Sequence, residues 1–393
     1  MTASTTHYAL PFFSEHHHSL ADALAQWAPQ QTVDETDDRA ACRQWVRLLG
    51  TGGWLRYCVP KAFGGALEKL DSRALVILRE TLAFHSPLAD FAFAMQGLGS
   101  GAITLAGSPQ QQSGYLNAVA QGDKIAAFAL SEPDAGSDVG AMAMSARLDG
   151  DSYVLDGVKT WISNGGIADY YCVFAKTEPD KGTRGITAFI VDADTPGLDD
   201  SQHIHVMAPH PLARLQFTQC RVPASARLGP LEGGFKLAMQ TLDIFRASVA
   251  GAALGMARRA LHEAVAHARR RPMFGQRLGD FQLTQAKLGD MAALVDAAAL
   301  LTYRAAWLRD CVGTATPAQA QAYSAQAAMA KMAATENAQR VIDMALQMHG
   351  GLGVQVGNPV EHLYRDIRSL RIYEGATEVQ QLIIGKSVLK GAA

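Results

Sequence analysis

The stretch Phe128-Ala129-Leu130-Ser131-Glu132-Pro133-Asp134-Ala135-Gly136-Ser137-Asp138 stands where this 393-residue chain changes character, and what lies on either side of it decides the fold. The block reads as a strand running into a Pro/Gly turn that carries hydroxyls at Ser131 and Ser137 and a cluster of backbone N–H groups, a setting suited to a polar or phosphorylated ligand. Upstream, from Ser19 to Gly122, helix formers predominate. Breaks at Val59-Pro60, Phe63-Gly64-Gly65 and Gly107-Ser108-Pro109 mark turns between helices. Downstream, from Lys124 to about Gly234, Asp149-Gly150 and Asp156-Gly157 flank Tyr153-Val154-Leu155, a hairpin signal. The runs Tyr170–Phe174, Ile186–Val191 and Leu215–Val222 are rich in β-branched and aromatic residues. No helical pattern separates them, so an antiparallel β domain is expected in place of βαβ units.

After Gly233-Gly234 the helical period returns. One apolar stripe runs through Val249, Ala253, Met256, Ala260, Ala264 and Ala268, and a second through Leu288, Met291, Val295, Ala298, Thr302 and Ala305. A third runs through Tyr323, Ala327, Ala330, Ala334, Val341, Ala345 and Met348, and a shorter fourth through Val379, Leu382, Ile383 and Leu389. The expected fold class is α+β: an N-terminal helical domain over 1–122, a middle antiparallel β domain over 123–236 and a C-terminal four-helix bundle over 237–393.

Composition narrows the function. Hydrophobic residues make up 48% and charged ones 18%, which excludes a disordered chain and points to surface buried between subunits. Lys+Arg number 35 against 37 Asp+Glu, a net charge of −2, so no global field draws nucleic acid or an anionic membrane. Cys42, Cys58, Cys172, Cys220 and Cys311 are far apart with no C-x-x-C, so neither a disulfide framework nor a metal site is expected. The first twenty residues hold no Lys or Arg and match neither a signal nor a transit peptide. The longest apolar runs, Val249–Ala257 and Ala297–Leu301, fall short of a membrane span. A soluble, cytoplasmic protein is expected.

Three motif matches lose on context. Gly97-Leu98-Gly99-Ser100-Gly101-Ala102 fits a dinucleotide fingerprint, but no second strand ending in an acidic residue follows it. The histidines of His262-Glu263-Ala264-Val265-Ala266-His267 lie about 140° apart around a helix, not the ~40° of a zinc-binding pair. His16-His17-His18 reads as a solvated polar run.

Four further blocks follow the junction: Trp161-Ile162-Ser163-Asn164-Gly165, Arg271-Pro272-Met273-Phe274-Gly275-Gln276, Gln347-Met348-His349-Gly350-Gly351-Leu352-Gly353 and Ile372-Tyr373-Glu374-Gly375. In this order and at these separations, with the Val59-Pro60…Phe63-Gly64-Gly65 turn near the start, the set closely resembles the acyl-CoA dehydrogenase family over nearly the whole chain. The resemblance implies a helical, β and four-helix-bundle fold with one FAD per subunit, assembled as a homotetramer, a dimer of dimers.

It also implies roles for individual residues. Phe128, Leu130, Ser131, Gly136 and Ser137, with Trp161 and Ser163, match the surroundings of the flavin ring; Trp161 would cover one face, and Ser131 and Ser163 would bond its polar edge. Arg271, Phe274, Gln282, Gln347, Gly350 and Gly351 match positions that hold the pyrophosphate and adenosine, partly from a neighbouring subunit, and Thr377 matches a flavin contact. Ser137, Asp243, Arg246, Tyr373 and Gly375 match the substrate side, with Ser137 at the CoA portion and Asp243 and Arg246 near the thioester arm or supporting the base. Two departures stand out: Ala376 replaces a usual hydroxyl residue, and Met273 replaces a frequent Thr or Ser beside the pyrophosphate.

Removing hydrogen across the α,β bond of a thioester needs a base, a hydride acceptor and polarisation of the carbonyl. No side chain accepts a hydride, which assigns that task to a cofactor. The resemblance makes Glu374 the base, with its backbone N–H and a ribityl hydroxyl of FAD holding the thioester oxygen. Relatives that carry the base on the helix after the β domain place it directly before an Arg; that position here is Phe245, next to Arg246, and holds no carboxylate. The expected function is FAD-dependent dehydrogenation of an acyl-CoA, with electrons passed to an electron-transfer flavoprotein. Other readings are an oxidase or eliminating enzyme of the same fold and a non-catalytic, nucleic-acid-associated member; neutral charge and the presence of Glu374 weigh against the last. Phe91, Phe93 and Phe245 point to a short, branched or cyclic acyl group, because bulk shortens a cavity.

Overall fold

The computed structural model describes residues 3–313 and 316–391. Helices α1 (Glu15–Trp27), α2 (Asp38–Thr51), α3 (Ser72–His85), α4 (Pro87–Ala106) and α5 (Pro109–Gln121) precede the strands. These are β1 (Ala126–Ala129), β2 (Ser145–Asp149), β3 (Ser152–Ser163), β4 (Tyr170–Lys176), β5 (Ile186–Asp192), β6 (Leu198–Ile204), β7 (Leu212–Pro223) and β8 (Arg227–Leu228). Then come α6 (Gly234–Arg270), the hairpin β9 (Pro272–Met273) and β10 (Gln276–Arg277), and α7 (Gln282–Trp307), α8 (Pro317–His349), α9 (Pro359–Leu370) and α10 (Thr377–Leu389). The chain divides into two compact units, one of Met1–Thr32, Ser72–Asp90 and Arg246–Ala393, the other of Val33–Asp71 and Phe91–Phe245. This division groups α1 and α3 with the bundle helices.

In the second unit the strands run β6-β7-β3-β2-β4-β5-β8 across one sheet, with β1 on β4. The hairpin read from Asp149-Gly150 forms as β2–β3, with Asp149 opposite Ser152 and Gly150 at φ +65 in the turn. The sheet is antiparallel along most of its length, but β1 pairs with β4 in parallel, Ala126 opposite Tyr170. The strand expected before the Pro/Gly turn forms, and a side chain docks it in this parallel place. Gln96 on α4 accepts from the Ala126 N–H at 2.8 Å and donates to the Lys124 carbonyl at 2.8 Å. The G-x-G-x-x-A string lies wholly inside α4, where its glycines serve packing: a Cβ on Gly99 would sit 2.6 Å from Ala126 Cβ. Likewise a Cβ on Gly97 would sit 2.6 Å from the Phe245 ring.

In the first unit the stripes of α6, α7 and α8 are buried almost throughout. Four expectations change. The stripe on α10 is inverted: Leu382 and Leu389 are exposed, whereas its buried residues are Gln380 and Ser387. A further amphipathic helix, α9, stands between α8 and α10. His17 is buried, with Nδ1 2.8 Å from Ser14 Oγ at the start of α1, so it belongs to a helix cap and not to a solvated run. The segment Gln282–Val312 is, among the described residues, the one helix long and apolar enough to cross a membrane; α7 packs along α8 in the bundle.

Candidate active site

Helix α9 ends at Leu370, and Arg371–Ala376 carry the chain to α10. The Ser369 carbonyl accepts from the N–H groups of Ile372 and Tyr373 at 2.9 and 3.1 Å, and the Thr377 N–H donates to the Arg371 carbonyl at 3.1 Å, closing a tight loop. Inside it Glu374 has φ +52 and Gly375 φ +93, two successive left-handed residues. The second must be glycine on two counts: L side chains avoid that conformation, and a Cβ there would lie 2.4 Å from Gln380 Nε2. The Gly375 carbonyl accepts from Lys331 Nζ at 2.7 Å and Gln380 Nε2 at 2.8 Å.

Glu374 as a whole is half-buried, but its Oε2 is removed from solvent and has no hydrogen-bond partner among the described residues. Burial pushes its carboxyl above the usual carboxylate range, the charges of Arg79, Lys331 and Arg246 pulling the other way and Asp90 adding to the rise. Arg79 donates to Asp90 through Nε and Nη2 at 2.8 and 2.9 Å and to the Ser248 hydroxyl through Nη1 at 3.2 Å. A desolvated carboxylate with one oxygen held by no donor is the arrangement a carbon acid needs from its base.

Of the substrate-side residues, Tyr373 and Gly375 lie in this loop, and Arg246 is buried with its charge acting on Glu374 and Lys331. Thr377 begins α10, and its hydroxyl donates to Glu336 Oε1 at 2.6 Å. Sequence reasoning missed Lys331, Glu336, Gln380 and the Arg79–Asp90 pair. A signal existed for one of them: Lys331 interrupts the apolar face Ala327, Ala330 and Ala334, where a lysine has to find a polar partner.

At the other end of this unit, α6 turns at Arg271 into the β9–β10 hairpin, whose tip Phe274-Gly275 has φ +49 and +79. Phe274 is 92% exposed. The rings of His267 and His349 stand 4.2 Å apart, which sets the Arg271 corner beside the end of α8, where Gln347, Gly350 and Gly351 are exposed. Nothing lies within 4 Å of a Cβ built on Gly350 or Gly351, so their backbone offers an open cradle. Gln282 is exposed at the start of α7.

In the second unit, β3 slips register between Lys159 and Ile162, and the bulge turns Trp161 outward at φ +58 and 58% exposure. A bulky residue in that conformation on the surface is a strained feature of the kind found at ligand sites. The Thr160 N–H donates to the Ser131 carbonyl at 2.9 Å, bringing the Ser131 turn beside Trp161 and Ser163. Among the described residues neither the Ser131 nor the Ser163 hydroxyl has a protein partner. The Phe128 ring lies tilted against Phe174 with centroids 4.9 Å apart, Leu130 is buried, and Gly136 and Ser137 are exposed. Beneath the turn, Lys159 is fully buried and donates to the Leu130 carbonyl at 3.0 Å and to Glu132 Oε1 at 2.8 Å. Glu132 also accepts from the Ala143 and Met144 N–H groups. Sequence reasoning missed this clamp as well. Asp243, on α6, is half-buried. The exposed indole and the two hydroxyls fit a planar heteroaromatic ring, and the glycine cradle fits a phosphate-bearing chain.

Comparison with known proteins gives matches along the chain. The family models for the acyl-CoA dehydrogenase N-terminal, middle and C-terminal domains match residues 14–123, 127–220 and 232–389. The mitochondrial short-chain specific acyl-CoA dehydrogenase of Homo sapiens is 40% identical over 351 residues, 88% of this chain and 82% of that protein. The caffeyl-CoA reductase-Etf complex subunit CarC of Acetobacterium woodii is 36% identical over 387 residues, 96% of this chain and 100% of that protein. Among solved structures, butyryl-CoA dehydrogenase from Megasphaera elsdenii superposes with a TM-score of 0.87 at 31% identity, covering 96% of this chain and 99% of that one.

Proposed function

Because the chain belongs to the acyl-CoA dehydrogenase family, whose members are FAD-dependent oxidoreductases, we propose that it removes hydrogen across the α,β bond of an acyl-CoA thioester to give the 2-enoyl-CoA, with Glu374 taking the α-proton. The observation that carries the reading is the Glu374 carboxyl: its Oε2 is buried with no donor among the described residues, and its surroundings raise it above the usual range. A raised basicity brings the carboxylate nearer to the α-carbon acid it must deprotonate. The loop hydrogen bonds hold the acidic side chain at a fixed place, so that little orientational freedom is lost in the transition state.

FAD, when bound, supplies the hydride acceptor. Trp161, Ser131 and Ser163, with the Phe128–Ser137 turn, would hold its ring; Arg271, Phe274, Gln282, Gln347, Gly350 and Gly351 would hold the pyrophosphate and adenosine. CarC is by its name a subunit of a reductase-Etf complex, which supports an electron-transfer flavoprotein as the partner here. The same name favours a second reading, in which the enzyme runs as an enoyl-CoA reductase and Glu374 returns the proton to the α-carbon. The exposed leucines of α10 support assembly as a homotetramer. Phe91, Phe93 and Phe245, all buried, support a short, branched or cyclic acyl group.

The test is anaerobic bleaching of the bound flavin by a panel of acyl-CoA thioesters, with reoxidation by enoyl-CoA thioesters to read the opposite direction. Glu374→Gln is expected to retain the yellow cofactor and to lose bleaching by every thioester. Full bleaching by that variant would remove Glu374 from its role.

A further inference from the structure

We propose that Lys331 is the positioning residue for the base: through the hydrogen bond from its ammonium to the Gly375 carbonyl it fixes the left-handed Glu374–Gly375 backbone, and it stations a positive charge beside the Glu374 carboxyl. The proposal rests on the reading of Glu374 as the base.

Three observations lead to it. First, Lys331 is 0% exposed on α8, amid alanines, where an ammonium is expensive to bury. Among the described residues its one hydrogen-bond acceptor is the Gly375 carbonyl, at 2.7 Å. Second, Glu374 Oε2 has no donor among the described residues, so no side-chain hydrogen bond from them on that oxygen orients the carboxyl. Its place in space is therefore set from the backbone, and the backbone of a non-glycine residue at φ +52 stays there only when its surroundings over-determine it. The determinants are the two donors on the Gly375 carbonyl, Lys331 and Gln380. Of these, Gln380 belongs to α10, the element that follows the loop, while Lys331 reaches in from α8. Third, the charged groups around Glu374 are otherwise committed. Arg79 from α3 is bound to Asp90 from α4, and Glu336 from α8 is bound to Arg371 and Thr377 at the two ends of the loop. Arg246 from α6 adds a second cation, and the Tyr373 phenol stays protonated because burial pushes it far up.

Electrostatics gives the arrangement a pH signature. Burial depresses the Lys331 ammonium to about 8, with Glu374 opposing the fall and Arg246 adding to it. Protonated Lys331 lowers the Glu374 carboxyl and so favours the basic form; loss of that proton, in the range just above neutrality, withdraws the charge and weakens the bond to Gly375. Activity should therefore rise with pH as Glu374 ionises and fall again near pH 8 as Lys331 discharges.

The experiment measures kcat and kcat/KM against pH on the FAD-loaded enzyme, with butyryl-CoA and crotonyl-CoA as probes, for wild type, Lys331→Met, Lys331→Arg and Glu374→Gln. Lys331→Met should lower kcat by about 10²-fold, the scale of a misplaced catalytic group. It should also move the acid limb to higher pH and abolish the limb near pH 8. Lys331→Arg should recover part of the rate, with the limb near pH 8 gone because guanidinium keeps its proton. Acid and alkaline limbs unchanged in Lys331→Met would overturn the proposal. If that variant does not fold, Lys331→Arg decides: a lost upper limb supports the assignment and a retained one overturns it. Activity in Glu374→Gln would sink the base reading itself, whereas an inactive Glu374→Gln beside a wild-type profile in Lys331→Met would sink only the role of Lys331.

Discussion

Thr377 and Arg371 share one acceptor: Glu336 Oε1 receives the threonine hydroxyl at 2.6 Å and the arginine Nε at 2.8 Å. The two residues flank the loop that carries Glu374, so a single carboxylate on α8 ties its ends together. Replacing Glu336 by Ala leaves both donors without that partner. We expect a loss of about 1–2 kcal/mol, discounted because the pair is partly exposed, and a fall in turnover larger than the fall in thioester affinity. Urea unfolding and calorimetric titration with a CoA thioester check the two halves separately.

Gly375→Ala places a Cβ on a backbone at φ +93 and against Gln380. Strain of about 1–3 kcal/mol should appear, and relief by a flipped peptide would withdraw the carbonyl from Lys331. A folded variant with bound flavin, a lowered Tm and little activity is the expected outcome; wild-type activity at wild-type Tm contradicts the loop geometry.

The Glu80 carboxyl on α3 gives the molecule an acid limit. Burial would raise it, but the Arg258 guanidinium, 2.6 Å away, and His7 hold it down to about 2 from the usual 4.5. A carboxyl depressed in the folded state stabilises fully above its unfolded value and ceases to do so as pH falls through its folded one. Stability should therefore decline between about pH 4.5 and pH 2. Arg258→Met, by leaving the buried carboxylate with the Tyr303 hydroxyl and His7 but no guanidinium, should cost about 3 kcal/mol at pH 7 and much less near pH 2. Denaturant midpoints across that range read both effects.

Lys159→Met cuts the clamp beneath the Ser131 turn and leaves Glu132 with only the Ala143 and Met144 N–H groups. The turn should loosen and FAD should bind more weakly, by about tenfold for 1.4 kcal/mol of lost positioning. The quenching of flavin fluorescence on reconstitution of the apoprotein measures it; an unchanged Kd removes the clamp from cofactor binding.

Phe245 is buried with its ring against Gly97 of α4. Phe245→Leu should shift the preferred thioester toward longer acyl chains. Competition kinetics with butyryl-CoA and octanoyl-CoA report the shift, and a preference that stays put excludes Phe245 from chain-length selection.

Much of this was legible in the chain because it is carried by local rules. Alanine stripes with helical spacing became the buried faces of α6, α7 and α8, and Asp149-Gly150 became a hairpin. The Ile372–Gly375 block marks the loop that carries the Glu374 carboxylate. What stayed hidden is set by tertiary partners. Strand β1 is four residues long and owes its parallel place to the Gln96 side chain, about thirty residues away in sequence. Lys331 sits 43 residues before Glu374, and no periodicity ties an ammonium on one helix to a carbonyl in a distant loop. The α10 stripe misled for a related reason: spacing shows which residues share a face, and only the packed unit shows whether that face turns inward.

The inversion of α10 reaches beyond its own surface. The helix begins one residue after the base loop, holds Gly375 through Gln380, and leaves Leu382, Val388 and Leu389 exposed. Under the proposed tetramer those leucines gain cover only when another copy arrives. Dilution would then do the work of a mutation: as subunits part, the helix that braces the base loses its anchorage, and specific activity falls with enzyme concentration while every catalytic side chain remains in place.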